Sequence, residues 1–238
     1  METKLTELVG RLKAAGGDNL KSVILYGSAV TGEFVSKYSD VNILCVVGRA
    51  GSSEIEEMHG PAVWWIRQGH PAPLVFTLQE LERSADIFAV ELLDIKHRHR
   101  LLFGEDFFAN LEIPLRHHRL QVERELRTHW LRLRQAILAA PLSNRVHLAL
   151  MTDSVSAFCA LFRHALFAAG QQMPDTKRAA VAAVASVTGA DPSAFNQILD
   201  LREGKRKPGD IDVEVTLHNY LVLVEVVTAE VDRIFDAP

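Results

Sequence analysis

"ILYGSAVTGEFVSKYSDVNILCVV", Ile24 to Val47, joins two apolar runs through a polar connection. The first run, Ser22 to Tyr26 (SVILY), ends at Gly27, and the second, Val41 to Val47 (VNILCVV), ends at Gly48. Short, nearly continuous apolar runs closed by glycine predict strands covered on both faces. Side chains two apart on a strand share a face, so Asp40 and Asn42, at the head of the second run, project to the same side. Outward from this pair, Leu5, Leu8 and Leu12 recur at helical spacing and Gly16-Gly17 stop that helix. Glu54 to His59 reads as a short helix. A third apolar run, Leu74 to Phe76, follows Pro71 and Pro73. Glu80 to Ile95 reads as one helix, and Arg100 to Phe103, before Gly104, as a last short strand. Strands alternating with helices predict an α/β unit with a mixed sheet.

Past Asp106 the pattern changes. Leu115, Val122, Leu126, Trp130, Leu133 and Ile137 keep steps of three, four or seven, which marks a long amphipathic helix. Asn144 reads as the cap of a second helix that stops at Gly170, Asp175 as the cap of a third, and Asp191-Pro192 as the start of a fourth. Glu203 to Asp210 (EGKRKPGD) is a turn-rich loop, and a final helix from Val213 to about Phe235 carries an apolar stripe from Val213 to Ile234. The expected fold class is α+β: an α/β domain over residues 1–108 and an all-α helical bundle over 109–238.

The chemistry of the opening stretch follows from its residue types. A glycine at the end of a strand lets backbone amides approach phosphate oxygens, and Ser28 adds a hydroxyl donor. Two carboxylates two apart on a neighbouring strand hold divalent metal against those phosphates, and a third on a later strand activates an incoming hydroxyl. Taken alone, Gly27-Ser28 also reads as a plain turn and Asp40 as the first residue of a strand beside Ser39.

With its flanking strands, the combination of Gly27, Ser28, Ser39 and Asp40 resembles the nucleotidyltransferase superfamily, of the polymerase-beta-like kind that includes aminoglycoside nucleotidyltransferases. The resemblance covers roughly residues 20 to 106. It implies that Gly27 and Ser28 bind the phosphates of a nucleoside triphosphate, ATP foremost, and that Asp40 is catalytic and a ligand of Mg2+. It also implies a C-terminal helical bundle. Two departures bear on activity. Asn42 stands where the pattern has a second acid, keeping the shape and losing the charge a hard dication requires. The third run, Pro73 to Thr77, contains no acid, while Glu80, Asp86 and Glu91 come only after it. The expected function is transfer of a nucleoside monophosphate to an unidentified hydroxyl acceptor, weakened or lost. The alternative is an inactive nucleotide-binding, regulatory or interaction module.

Composition restricts the other classes. The net charge of −4 gives no general attraction to nucleic acid. Arg116, Arg119, Arg124, Arg127, Arg132 and Arg134 form a basic helical face, read first as solvated and second as a nucleic-acid surface. Cys45 and Cys159 lie in separate apolar segments and are expected as buried thiols of a cytoplasmic protein. The most apolar stretch, Ala149 to Gly170, is interrupted by Asp153 and Arg163 and is expected as a buried helix, not a membrane span. The apolar final helix also suits a homodimer. His97 and His99, like the adjacent His117 and His118, lack companions at metal-ligand spacing, so no structural zinc is expected. Trp64-Trp65 is read as packing.

Overall fold

A computed structural model describes residues 1–236, with side chains described through Arg233, so Ile234 and Phe235 of the expected final stripe lie outside the described side chains. The chain divides into two compact units, Met1–Leu115 and Arg116–Pro238.

The first unit opens with α1 (Glu2–Gly16), whose Leu5, Leu8 and Leu12 are buried on one face. Gly17 ends it at φ 48, and its N–H bonds the Lys13 carbonyl. β1 (Leu20–Tyr26) and β2 (Asn42–Val47) follow, separated by a single 3-10 turn over Gly27–Ala29 and a long connection. Then come α2 (Ser52–Glu57), α3 (His59–Ile66), β3 (Leu74–Thr77), α4 (Leu78–Arg83), α5 (Ala89–His97) and β4 (His99–Gly104). The sheet runs β3-β2-β1-β4. β1 is antiparallel to both β2 and β4, whereas β3 lies parallel to β2, so the sheet is mixed. A parallel neighbour needs a crossover, and α2 and α3 supply it.

Both faces are covered, which is why the strands read as apolar runs instead of alternating ones. On one face Val23, Leu25, Ile43 and Cys45 join α1 and Trp65 in one core. On the other, Ile24, Leu44 and Val46 meet Leu81, Leu92, Ile95, Phe108 and Leu111. The run Glu80 to Ile95 is not one helix. It breaks after Arg83 and resumes at Ala89, and the Ser84 carbonyl accepts from both Ile87 and Phe88 N–H in between. Leu81, Ala85, Ala89 and Leu92 stay in helical phase across the break and are all buried, so the apolar pattern carries no trace of it. Ser84 and Asp86, residues that favour turns over helix interiors, mark the place.

The second unit is a bundle of α6 (His118–Ala139), α7 (Asn144–Ala168), α8 (Lys177–Thr188), α9 (Ser193–Arg202) and α10 (Val213–Asp236). α7 is central, packed by the other four. It is long and apolar enough to cross a membrane by length and composition, and here its apolar side forms the core of the bundle. Phe158, Phe162, Phe195 and Tyr220 interlock there, the last two stacked at 4.2 Å, and the Tyr220 hydroxyl meets Ser154 Oγ at 2.9 Å. Three caps fall one residue from the expected ones. Ser143, not Asn144, is the N-cap of α7, and Thr176, not Asp175, caps α8 by accepting from the Ala179 N–H. Pro192, not Asp191, is the N-cap of α9, which begins at Ser193, and the Asp191 carboxylate accepts from both the N–H and the hydroxyl of Ser193. On α6, Arg127 is tied to Glu123 and Asp232, and Arg134 lies over the Trp130 ring.

Both cysteines are buried and outside any disulfide, and burial pushes the Cys45 thiol up to about 12. A thiol so far from ionisation is a poor nucleophile. Ellman's reagent at pH 8 is therefore expected to leave Cys45 unmodified in the folded protein and to titrate both thiols in denaturant. Rapid labelling of Cys45 in native conditions, read by mass spectrometry, would contradict the β2 placement.

Candidate functional site

β1 ends at Tyr26, and Gly27 follows at φ 79, a region of backbone space that favours glycine. The Val30 N–H bonds the Gly27 carbonyl at 3.0 Å and Thr31 Oγ1 donates to the Ser28 carbonyl at 3.3 Å, so Gly27-Ser28 lies in a closed turn. The connection back to β2 is pinned by Ser39. Its hydroxyl accepts from the Val35 N–H at 3.1 Å and its own N–H donates to the Val35 carbonyl at 2.8 Å. Ser39 thus shapes the loop that delivers Asp40.

Antiparallel pairing places Asn42 directly opposite Tyr26. The Asn42 side chain leans onto the glycine turn, for a Cβ built on Gly27 would lie 3.0 Å from Asn42 Nδ2. Asn42 is half-buried and Asp40 exposed. The sequence-expected residues Gly27 and Asn42 are therefore brought together, with Ser28 next in the turn and Asp40 two residues before Asn42.

Across the sheet, the row at this end reads His99, Tyr26, Asn42. Burial raises the Tyr26 phenol above its ordinary value. His99 is committed elsewhere: its ring nitrogens meet the Ile95 carbonyl at 2.9 Å and Asp106 Oδ1 at 3.0 Å. The same Asp106 oxygen accepts from the N–H groups of Phe108 and Ala109, so this pair anchors the segment after β4.

On β3, Leu74 and Phe76 share the face of Leu44 and Val46, and hence that of Asn42. Leu74, the first residue of the strand, is apolar and 46% exposed, and β3 carries no acid. The donor set does not fit a protein-held pair of magnesium ions. Asp40 brings one carboxylate, Asn42 a neutral oxygen and β3 none. Among the described residues no group of three His, Cys, Asp or Glu side chains is placed to hold a metal.

Sequence reading missed one neighbour. His70 packs against the buried Trp65 ring, the ring centres 4.4 Å apart and the planes tilted by 39°, with its Nδ1 buried and without a hydrogen-bond partner. Burial and the Lys4 ammonium lower its pKa, while the Asp40 carboxylate works against them. No sequence signal marked it, because strand direction and register are not written in a four-residue run. The parallel ladder begins with Leu44 opposite Leu74, and His70 lies four residues before that strand partner.

A mixed four-stranded sheet with a glycine-serine turn after its first strand, followed along the chain by a helical bundle, is the nucleotidyltransferase-like fold. Spectinomycin adenyltransferase AAD(9) from Enterococcus faecialis, whose crystal structure holds ATP and spectinomycin, superposes with a TM-score of 0.54 at 15% identity, over 92% of this chain and 98% of that one. A nucleotidyltransferase-like protein from Exiguobacterium sibiricum 255-15 gives a TM-score of 0.35 at 12% identity, over 94% of this chain and 74% of its own. No protein-family model matches the chain, and no curated protein matches its sequence.

Proposed function

We propose that the first unit binds a magnesium-bound nucleoside triphosphate, ATP foremost, at the Gly27-Ser28 turn, and that its capacity to transfer the nucleoside monophosphate to a hydroxyl acceptor is weakened. The carrying observation is the seat of Asn42. It leans on the Gly27 turn from the position two residues after Asp40, where a second carboxylate would face the phosphates. The ATP held by the AAD(9) structure supports the nucleotide, and its spectinomycin supports a hydroxylated small molecule as the kind of acceptor. Gly27 and Ser28 would contribute backbone N–H groups and a hydroxyl to the phosphates. Asp40 would offer the one carboxylate to a magnesium ion that arrives on the nucleotide. Magnesium lends such a reaction charge neutralisation. With Asn42 and Leu74 adding no negative charge, this chain adds little to hold it.

Incubation with α-labelled ATP, magnesium or manganese and a panel of hydroxylated acceptors tests the reading, beside calorimetry with a non-hydrolysable analogue. The wild type should bind the analogue and transfer label slowly, and Asp40→Ala should lower transfer by about a hundredfold, the low end of the loss of one charge-stabilising group. Binding without transfer would leave the inactive nucleotide-binding module, which a β3 without an acid favours. Absence of binding would overturn the nucleotide reading.

A further inference from the structure

α6 buries Val122, Leu126 and Leu133 and turns another line of side chains away from the bundle. Leu120, Arg124, Arg127, Leu131, Arg134 and Leu138 follow one another in steps of four and three, which keeps them on a single edge of a helix. The three leucines are 66%, 56% and 88% exposed, and Leu142, in the connection to α7, is 97% exposed. Single exposed leucines are ordinary, but a row of them interleaved with arginine forms a patch. Arg124 is exposed, Arg134 lies over the Trp130 ring, and Arg127 is shared between Glu123 and Asp232. In a chain of net charge −4, this edge is both locally basic and locally apolar.

Charge decides what can cover it. A second copy laid antiparallel on the same edge sets Arg124 of one against Arg134 of the other. A parallel copy sets each arginine against itself, so self-pairing is repelled. Nucleic acid would meet the arginines and leave the leucines in water. Acidic lipid offers both layers at once, headgroup phosphates for the guanidinium groups and an acyl region beneath for the leucines. The edge is a straight convex ridge, about 27 Å from Leu120 to Leu138 at 1.5 Å per residue, which suits a flat surface. We propose that the outer edge of α6 rests on a membrane surface rich in anionic phospholipid. Leu138 and Leu142 enter the acyl boundary, the arginines stay among the headgroups, and α7 remains in the core of the bundle.

Cosedimentation of the full chain with lipid vesicles tests this. The protein should partition onto vesicles containing phosphatidylglycerol and stay in solution with phosphatidylcholine alone. Leu138→Ser combined with Leu142→Ser should weaken partition at least about tenfold, as expected for two leucines withdrawn from an apolar layer. Arg124→Gln should weaken it about fivefold, the worth of one basic residue near an acidic surface, and salt should weaken it further. All these side chains are exposed, so thermal midpoints should match, and Leu131→Ser gives an independent reading of the apolar layer. Failure to bind phosphatidylglycerol vesicles would overturn the proposal. Partition that the leucine changes leave intact would overturn it too, and competition by a single-stranded oligonucleotide would then mark a surface for nucleic acid.

Discussion

Gly104→Ala is expected to destabilise the first unit by about 3–5 kcal/mol, combining backbone strain with a steric clash. Gly104 ends β4 opposite Ser22, at φ 81. A Cβ built there would stand 1.9 Å from the Lys21 carbonyl oxygen and 2.8 Å from its carbon. Those atoms are backbone of the central strand β1, so no side-chain rotation relieves the contact. The register of β4 against β1 also shifts between Val23 and Ile24, so the two chains are already drawn out of regular pairing nearby. Against a total stability of about 5–15 kcal/mol, such a loss is large. Urea unfolding of a Trp130→Phe background measures it, since the remaining tryptophans, Trp64 and Trp65, both report on the first unit. A midpoint shift equivalent to less than about 1 kcal/mol, the size of an ordinary surface substitution effect, would show that β4 does not cross β1 in this way.

Gly104 also shows how far the residues alone can be read. As the stop of a short apolar run it is visible in sequence, but the reason it must be glycine lies in Lys21, far away along the chain. The strands were legible because both faces of the sheet are buried, which leaves apolar runs such as ILCVV nearly unbroken. The helices of the second unit were legible from their periodicity, with caps displaced by one residue, since Ser143 beside Asn144 and Thr176 beside Asp175 offer equivalent chemistry. The break between α4 and α5 was not legible, because Leu81, Ala85, Ala89 and Leu92 keep helical phase through it. At the site, Gly27, Ser28, Asp40 and Asn42 could be named from local order alone. His70 could not. Its place beside Trp65 exists only once β3 is known to run parallel to β2, and neither strand direction nor register is written in a four-residue run.

Asn42→Asp is expected to raise metal-dependent label transfer by about a hundredfold, the low end of what one charge-stabilising group contributes in a preorganised site. Aspartate has the size of asparagine, so the lean onto Gly27 can persist, and the change is one of charge. Asp40 and the new carboxylate would share a face two residues apart and repel each other. Magnesium or manganese relieves that repulsion, so the gain should come with a steeper metal dependence. In EDTA the sign should reverse, with ATP bound more weakly than by the wild type, because two carboxylates then face the triphosphate. A metal-dependent gain paired with a metal-free loss is something that repacking or a change in overall stability cannot produce. If Asn42→Asp transfers no faster and binds ATP identically with and without metal, position 42 does not face the phosphates. The asparagine would then be no more than the polar end of a strand. If binding tightens with metal and transfer stays flat, the limit on chemistry lies elsewhere than position 42, consistent with a β3 that carries no acid, and the reading of an inactive nucleotide-binding module is favoured.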